Sequence, residues 1–291
     1  MSSDILSILH SQAHTFSKGQ RLIAKYITES YDKAAFMTAS KLGKKVGVSE
    51  STVVRFAVEL GYDGYPSMQK AIQEMVLNRL TSVQRIEVAN DRMEGQDVIS
   101  TVLRADAEKL RQTEELLDRQ EFAKAVQAIL DTDRVYILGV RSAAPLAQFL
   151  GYYLNYMSTN IHVVTTSGEG EMFERIVAIK PEDVVIAISF PRYSSATVKA
   201  AQYCRAAGAT VIGLTDSRLS PLGQNADYVL EAKSDMVSLV DSLVAPMSVI
   251  NALVVAIAAK REQRLSKIFT SLEQIWDEYH VYEKQEGDNG L

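Results

Sequence analysis

Two short segments of the chain, at 139–142 and 189–194, combine hydroxyl groups with an arginine and a turn-forming residue. Each segment follows an apolar run and precedes a stretch with helical spacing. Free amides at a helix start, serine hydroxyls and a guanidinium together bind phosphate groups. The two segments therefore predict an anion site, and the residues assigned to it are Arg141, Ser142, Ser189, Arg192 and Ser194.

Serines in these positions also have a simpler structural role. Ser142 and Ser194 are placed to cap the helices predicted after them, which is the commonest task of serine there. Capping and phosphate binding are compatible, because both use the free amides of the first helical turn. A third segment carries Glu169 and Glu171, whose charges would repel a phosphate. We assign it to sugar hydroxyls or to the start of its own helix.

Residues 40–56 indicate a different chemistry. Gly43 is small enough for two helices to touch, Gly47 tolerates a positive φ in a turn, and Ser49 is a good N-cap. The pattern predicts a helix-turn-helix whose second helix begins at residue 50, where a recognition helix meets base edges. The residues predicted to contact DNA are Lys44, Lys45, Ser49, Ser51, Thr52 and Arg55.

The side chains of this motif suggest how it would contact DNA. Ser51 and Thr52 can hydrogen-bond to bases or phosphates, and Arg55 can reach guanine or a phosphate. Lys44 and Lys45 end the first helix and would add salt-dependent contacts to the DNA backbone. An ordinary helical hairpin with solvated polar residues is the alternative. Several independent positional requirements are met at once, which favours the DNA-binding interpretation.

The elements that must position these residues differ between the two halves of the chain. Helical apolar spacing runs from 17 to about 79, and a polar linker is predicted at 81–96. Helical spacing returns at 97–130, and two closing helices are predicted at 238–260 and 265–283. Between them, apolar runs alternate with helix-length segments, which predicts a parallel sheet between helix layers. The five predicted strands are 134–140, 161–166, 183–190, 210–216 and 228–232.

Composition excludes several classes of protein. A chain of 291 residues suits two domains, and 47% hydrophobic with 23% charged residues is typical of globular proteins. A single cysteine, Cys204, excludes a disulfide framework or a cysteine-based zinc site, and four scattered histidines predict no metal site. The sequence has neither an apolar stretch of about 20 residues nor a signal peptide, so we expect a cytoplasmic protein without membrane contact.

The charge distribution is uneven along the chain. The net charge is −5, but residues 1–90 hold 11 basic and 8 acidic side chains, against 20 and 28 in the remainder. A mildly basic N-terminal part on an acidic body is the asymmetry expected of a DNA-binding head.

With these residues in place, the chain resembles the RpiR (MurR/RpiR) family of transcriptional regulators. Residues 47–56, 60–62 and 64–65 are similar to that family's helix-turn-helix domain. The C-terminal part resembles a sugar isomerase (SIS) domain through Gly139, Ser142, Ser189 and the segment 213–217. The resemblance implies an all-α helix-turn-helix domain followed by an α/β SIS-type sandwich with a five-stranded parallel sheet. It also implies that Ser142 and the 189–194 turn bind the phosphate of a phosphosugar.

The sequence departs from this family in both loops. The usual phosphosugar turn reads Ser-x-Ser-Gly-x-Thr; here Ser189 and Ser194 match its ends, whereas Pro191 and Arg192 replace the inner Ser-Gly. In the first loop Arg141 stands where a second glycine is common. Its serine also comes one residue early, so Ala143 is the alternative match.

Two functions are weighed on this basis. One is a sequence-specific regulator whose affinity for double-stranded DNA is controlled by a phosphorylated sugar or sugar acid. Such a regulator is expected to be a homodimer or dimer of dimers. The other is a phosphosugar isomerase with an accessory helical domain, in which Glu169 and Glu171 are the candidate bases. No histidine accompanies them in the predicted loops, which favours a regulator with no catalytic residues, cofactor or metal.

The predicted division of the chain follows the change of pattern. Residues 1–80 form the helix-turn-helix domain, 81–105 a linker or connecting helix, and 106–284 the SIS domain with the C-terminal helices.

Overall fold

The structure is a computed structural model that describes residues 5, 8–9, 12, 14–79, 86, 95–158, 160–234 and 240–283. The chain forms two compact units, Met1–Ala107 with Asp235–Ser242, and Glu108–Ser234 with Leu243–Leu291. Most of the predicted linker at 81–96 and all of the tail from 285 lie outside the described residues. The domain boundaries expected at 80, 105 and 284 stay a prediction.

Short capped helices build the N-terminal unit. Ser17 forms a capping box with Gln20, Thr38 accepts from the amide of Lys41, and Ser49 accepts from the amide of Thr52. Each cap satisfies amides that the first turn leaves free, so the helix starts are set locally. Within residues 14–79 the helices are α1 (Lys18–Glu29), α2 (Tyr31–Ala34), α3 (Ala39–Val46), α4 (Glu50–Glu59) and α5 (Tyr65–Arg79).

One hydrophobic core holds these helices together. Phe56 is fully buried and packs edge-on against Phe16, with ring centroids 5.2 Å apart. Leu42 and Val53 bring α3 and α4 into the same core. The Tyr65 hydroxyl donates to the Met37 carbonyl oxygen at 2.5 Å, and burial raises the pKa of Tyr65 to about 12. A buried tyrosine with a partner of this kind ties α5 to the segment before α3.

The remaining elements alternate between helices and strands. The helix Val98–Leu116 contains residue 107, the last residue of the first unit in this part of the sequence. Asp118 caps the helix Arg119–Asp131 by accepting from two backbone amides. In chain order, the helices and strands from residue 98 to residue 231 are α6 (Val98–Leu116), α7 (Arg119–Asp131), β1 (Val135–Gly139), α8 (Ala144–Met157), β2 (Ile161–Val164), α9 (Glu169–Ile176), β3 (Val184–Ile188), α10 (Ser195–Ala206), β4 (Thr210–Thr215) and β5 (Tyr228–Glu231). The chain closes with α11 (Val244–Lys260) and α12 (Glu262–Glu278).

All five strands are parallel and lie in the order β2-β1-β3-β4-β5. One face packs against α7, α8 and α11 in a core around Ile137, Leu150 and Leu253. The other face packs against α9 and α10 around Leu138 and Cys204. Strands β1 and β3 are buried at every residue, as expected for a parallel sheet between helix layers. The predicted fold class is therefore confirmed.

Two predicted helix boundaries are wrong. The closing helix expected from residue 238 begins at Val244; Ser238 itself lies outside the described residues, and Asp241 takes part in a β-bridge. The extended backbone of a bridge cannot continue a helix. The last helix ends at Glu278, not at residue 283, because His280 follows with a φ of +50°, a left-handed conformation.

Among the described residues, no single helix is long and apolar enough to cross a membrane. Helices α11 and α12 satisfy length and composition only when taken together, and they are bent by 97°.

Candidate functional site

The helix-turn-helix depends on two glycines for different reasons. Gly47 ends α3 with a φ of +77°, a left-handed conformation that glycine adopts without steric cost. A Cβ on Gly43 would lie 2.8 Å from the carbonyl oxygen of Val48, so only glycine lets α3 approach the turn this closely. The structure therefore confirms the roles predicted for both residues.

The start of α4 carries a cluster of hydroxyl groups. The Ser49 hydroxyl accepts from the amide of Thr52 at 3.2 Å and lies within 2.9 Å of the hydroxyls of Ser51 and Thr52. One turn later, the Arg55 Nε donates to the Ser51 carbonyl oxygen at 3.3 Å. Ser49, Ser51 and Arg55 are exposed, and Thr52 is half-buried. Four predicted contact residues thus share the first turns of one helix.

Lys44 and Lys45 are exposed in the last turn of α3. Cations there also interact favourably with the partial negative charge of a helix C-terminus, which is their structural role in the absence of DNA. Ser49 follows Lys44 by five positions, so the lysines precede the hydroxyl cluster across the turn.

The beginning of α1 also lies beside α4, which the sequence analysis missed. A Cβ on Gly19 would lie 3.4 Å from Val48 and 3.7 Å from Thr52, and the Gln20 side chain hydrogen-bonds to Glu59. The neighbouring Lys18 is exposed at this helix start. A lysine at a helix N-terminus can contact a DNA phosphate. In the sequence, the capping box at Ser17 and the glycine in the first turn of α1 were the features that could have indicated a close approach of this helix start.

In the C-terminal unit, the two segments predicted to bind an anion come at the ends of neighbouring strands. Gly139 at the end of β1 pairs with Ile188 at the end of β3. The chain leaves β1 toward α8 on one face of the sheet and leaves β3 toward α10 on the other. Parallel α/β proteins bind ligands at such a point, where the strand order reverses. We call the region formed by residues 139–142 and 189–194 the switch-point crevice.

The segment after β1 turns back sharply. A Cβ on Gly139 would lie 2.9 Å from the carbonyl oxygen of Ala143, so glycine is required for this close return. Arg141 has a φ of +56°, and residues Arg141–Ala143 form one turn of 3-10 helix. Ser142 is exposed but forms no cap, because Ala143 occupies the N-cap position of α8. The prediction that Ser142 caps this helix is therefore wrong.

The segment after β3 is organised by its two end serines. Ser189 is buried, and its hydroxyl accepts from the Ser194 amide at 3.1 Å. Ser194 caps α10 by accepting from the Thr197 amide at 3.3 Å, as predicted. Arg192, between them, is exposed and has a φ of +63°. The turn therefore presents Arg192 beside the first turn of a 12-residue helix.

Two further groups in this region were not predicted. Thr197 lies in the first turn of α10, fully buried, and its hydroxyl forms no hydrogen bond among the described residues. The Tyr193 hydroxyl donates to the Asp216 carboxylate at 2.8 Å, which joins the turn after β3 to the end of β4. The position of Thr197, three residues after a capping serine, could have been read from the sequence. The Tyr193–Asp216 contact could not, because it depends on β3 and β4 being neighbours in the sheet.

The raised pKa of Asp216 predicts that the stability of the protein depends on pH. Burial raises the pKa of Asp216 above its ordinary value of 3.8, so the folded state binds the proton more tightly than the unfolded state. Its contribution to stability therefore falls as pH rises from 3.8 through the raised folded pKa. We expect Asp216→Asn to gain stability relative to the unmodified protein over this window and to hold the gain at neutral pH. Its amide oxygen can still accept from Tyr193.

Urea unfolding at a series of pH values measures this difference, with Asp133→Asn, at an exposed site, as the control. A pH-independent difference for Asp216→Asn would contradict the prediction.

The two glutamates considered as catalytic bases are held by neighbours. Both oxygens of Glu169 lie 3.0 Å from the Lys199 Nζ, and the Ser195 hydroxyl donates to one of them at 3.0 Å. The hydrogen bonds from Lys199 and Ser195 lower the pKa of Glu169. Glu171 accepts from the Thr166 hydroxyl. Both lie in the first turn of α9, where carboxylates are favourable.

Comparisons with known proteins find two family matches along the chain. Residues 3–78 match the helix-turn-helix domain of the rpiR family, and residues 128–256 match the SIS domain. The sugar isomerase domain of an RpiR transcription factor from Sphaerobacter thermophilus superposes with a TM-score of 0.59 at 30% identity. That similarity covers 62% of this chain and 99% of the other. The chain belongs to the RpiR family of transcriptional regulators.

Other relatives match across both parts of this RpiR-family chain. An uncharacterized HTH-type transcriptional regulator of Caldanaerobacter subterraneus is 24% identical over 263 residues, covering 89% of this chain and 92% of its own. The Vibrio vulnificus NanR protein, whose structure was solved with ManNAc-6P, has a TM-score of 0.57 at 20% identity. It covers 93% of this chain and 97% of its own, and it supports the fold.

Proposed function

We propose that this RpiR-family regulator binds operator DNA through α4 and that a phosphorylated sugar or sugar acid in the switch-point crevice controls its DNA affinity. The observation that carries the proposal is the pairing of β1 with β3. It brings two arginine- and serine-bearing turns to one edge of the sheet. The NanR protein, which shares the fold, was solved with a phosphosugar.

The turn after β3 supplies the groups that would hold the phosphate. Helix α10 directs its free amides to this turn, and the partial positive charge of its N-terminus favours an anion. Ser189, Ser194 and Arg192 add hydroxyls and a guanidinium at the same place. Arg141 and Ser142 approach from the neighbouring strand.

The DNA-binding part of the proposal uses the hydroxyl cluster and three cations. Ser51, Thr52 and Arg55 contact bases or phosphates from the first turns of α4, and Ser49 contacts a phosphate while capping the helix. Lys44 and Lys45 contact the DNA backbone. Because its target is chromosomal DNA, we place the protein in the cytoplasm.

Control by the effector follows from linkage. A ligand that binds one arrangement of the two units more tightly than another shifts the protein toward the first arrangement. DNA affinity then changes by the ratio of the ligand's two affinities. We propose no catalysis, because the lowered pKa of Glu169 weakens it as a base for proton transfer between sugar carbons.

The most direct test is selection from sheared genomic DNA. We expect the protein to retain a two-fold symmetric site, and a phosphosugar pool to change the amount retained. Retention without sequence preference, together with interconversion of aldose and ketose phosphates, would overturn the proposal in favour of the isomerase.

Ser189 gives a test within the crevice. We expect Ser189→Ala to raise the effector concentration needed for half-maximal response by about 10-fold or more, because a hydrogen bond to a charged group contributes about 1.5–3 kcal/mol. DNA binding without effector should be unchanged. Ser195→Ala is the matched control, since that hydroxyl donates to Glu169. An effector response equal to that of the unmodified protein would refute the phosphate assignment.

We also propose that the regulator acts as a homodimer or dimer of dimers, with α12 at the interface. None of the residues in Glu262–Glu278 is buried, although aromatic side chains line the helix. Tyr152, Tyr156, Phe269 and Trp276 form a chain of ring contacts with centroids 5.2–6.5 Å apart. A second copy is the occupant we propose, because helix-turn-helix proteins read two-fold related half-sites.

The oligomeric state tests this interface. We expect Trp276→Glu to shift the protein toward monomer in sedimentation velocity experiments and to weaken binding to a two-fold symmetric site. Glu273→Lys, on the same helix, controls for a change of charge. A Trp276→Glu protein that sediments as the unmodified protein does would contradict the proposed interface.

A further inference from the structure

A chain of hydrogen bonds ties the middle of the turn after β3 to the segment that follows β4. The Tyr193 hydroxyl donates to the Asp216 Oδ1 at 2.8 Å, and the Thr215 hydroxyl donates to the same oxygen at 3.1 Å. The Ser220 hydroxyl lies 3.0 Å from that of Thr215 and accepts from the Gly223 amide at 2.9 Å. Thr215 and Ser220 are buried. Asp216 is therefore held by its own segment and offers Tyr193 a fixed acceptor.

Hydrogen bonds also hold the two ends of this turn. At its start, the Ser189 amide donates to the Leu214 carbonyl oxygen at 3.2 Å, a contact between the ends of β3 and β4. At its far end, the Ser194 amide donates to the Ser189 hydroxyl at 3.1 Å, and Ser194 caps α10. Between these ends Arg192 has a φ of +63°, which is unfavourable for a residue with a Cβ and persists where the surroundings hold it. The bond from Tyr193 holds the turn at the very next residue.

The path of the turn decides whether the start of α10 can bind a phosphate. The free amides of α10 and the hydroxyls of Ser189 and Ser194 act on one ligand only if the backbone between the two serines keeps this path. A turn that samples several conformations must be ordered when the ligand binds, and the loss of entropy weakens the affinity. Binding groups that are already held by their neighbours avoid this loss. Tyr193 and Asp216 provide such a support, because they join the turn to the end of a strand.

We propose that Asp216 is a positioning residue for the phosphate: through Tyr193 it holds the turn after β3 in the conformation that binds the effector. Neither side chain is assigned a contact with the ligand. The role requires a hydrogen-bond acceptor at residue 216 and not a negative charge, since a carboxylate repels a phosphate. The inference rests on the proposed function, because it assumes that this turn binds the phosphate of the effector.

Binding of inorganic phosphate to the full chain tests the proposal, because inorganic phosphate carries the group that the turn holds and lacks the sugar. A titration followed by phosphorus NMR gives its dissociation constant. We expect Tyr193→Phe and Asp216→Leu each to raise this constant about 5-fold or more, the factor that corresponds to one hydrogen bond. The double variant should show no further loss, because both changes remove the same bond.

Two further variants separate this role from a general effect on the fold. Asp216→Asn keeps an acceptor for the Tyr193 hydroxyl, so we expect it to bind phosphate at least as tightly as the unmodified protein. Tyr203→Phe removes a tyrosine hydroxyl from α10, where the ring packs edge-on against Phe173, and should leave binding unchanged. Urea unfolding of each variant establishes that the titrations are made on folded protein.

The outcomes distinguish this inference from the proposed function. If Tyr193→Phe binds phosphate as the unmodified protein does while Ser189→Ala binds it more weakly, the phosphate site stands and the positioning role falls. Losses that add in the double variant, an Asp216→Asn protein as weak as Asp216→Leu, or an equal loss in Tyr203→Phe would also overturn the role. If the unmodified protein binds no phosphate, both proposals fall.

Discussion

Replacing Arg55 by alanine is expected to weaken operator binding by about 1–3 kcal/mol, or roughly 5- to 150-fold, while the fold is retained. Arg55 is exposed on α4, and its hydrogen bond to the Ser51 carbonyl oxygen holds the side chain one turn from the hydroxyl cluster. The side chain contributes nothing to the core around Phe56. The loss should therefore appear in DNA affinity alone.

Fluorescence anisotropy with the selected operator, over a range of salt concentrations, measures this effect. If Arg55 contacts a base, the loss is specific to the operator; if it contacts a phosphate, all sequences weaken equally and the salt slope falls by about 0.9. Lys25→Ala is the matched control, because Lys25 is an exposed cation paired with Glu29 on α1. An affinity for Arg55→Ala within twofold of the control would contradict the prediction.

Replacing Asp183 by alanine is expected to lower the free energy of unfolding of the C-terminal unit by about 3–5 kcal/mol, the typical cost of breaking a buried ion pair. Asp183 is only 2% exposed. Its carboxylate accepts from Arg134 at 2.9 and 2.5 Å and from the Lys180 amide at 2.7 Å. Without it, Arg134 remains partly buried and loses its main partner, and the Lys180 amide loses its acceptor.

Urea unfolding followed by circular dichroism measures this loss. Glu182→Ala is the matched control, since Glu182 is exposed and pairs with Lys180 at 3.8 Å. The Arg134–Asp183 pair joins the starts of β1 and β3, at the edge of the sheet away from the crevice. Effector affinity of the folded fraction should therefore be unchanged. A loss of stability below about 1 kcal/mol, the typical value of an exposed pair, would contradict the prediction.

Local features of the chain could be predicted from the sequence because they depend on residues only a few positions apart. Ser49 and Ser194 cap helices by binding an amide three residues ahead, and Gly47 permits the left-handed turn between α3 and α4. The strands were predicted for a similar reason. Runs that are apolar on both faces can be buried only inside a sheet covered by helices on both sides. The fold class and the family resemblance both follow from such features.

The arrangement of these elements was decided by tertiary packing. The order β2-β1-β3-β4-β5 sets which turns adjoin, and no residue in either turn encodes it. Tertiary packing also decided that Tyr193 contacts Asp216 and that α1 approaches α4 at Gly19, because each pair is distant in sequence. Ser142 was predicted to be a cap, but the close return of Ala143 over Gly139 moved the helix start past it.

The sequence by itself therefore determined the caps at Ser49 and Ser194, the helix-turn-helix and the strands, since a hydrogen bond over three residues or a run of apolar side chains is sufficient for each. Only the tertiary structure decided that the turns of Arg141 and Arg192 follow neighbouring strands, and that both residues have a positive φ. Contacts between residues distant in sequence are chosen by how whole faces of helices and strands pack together, and that choice is not contained in any one segment.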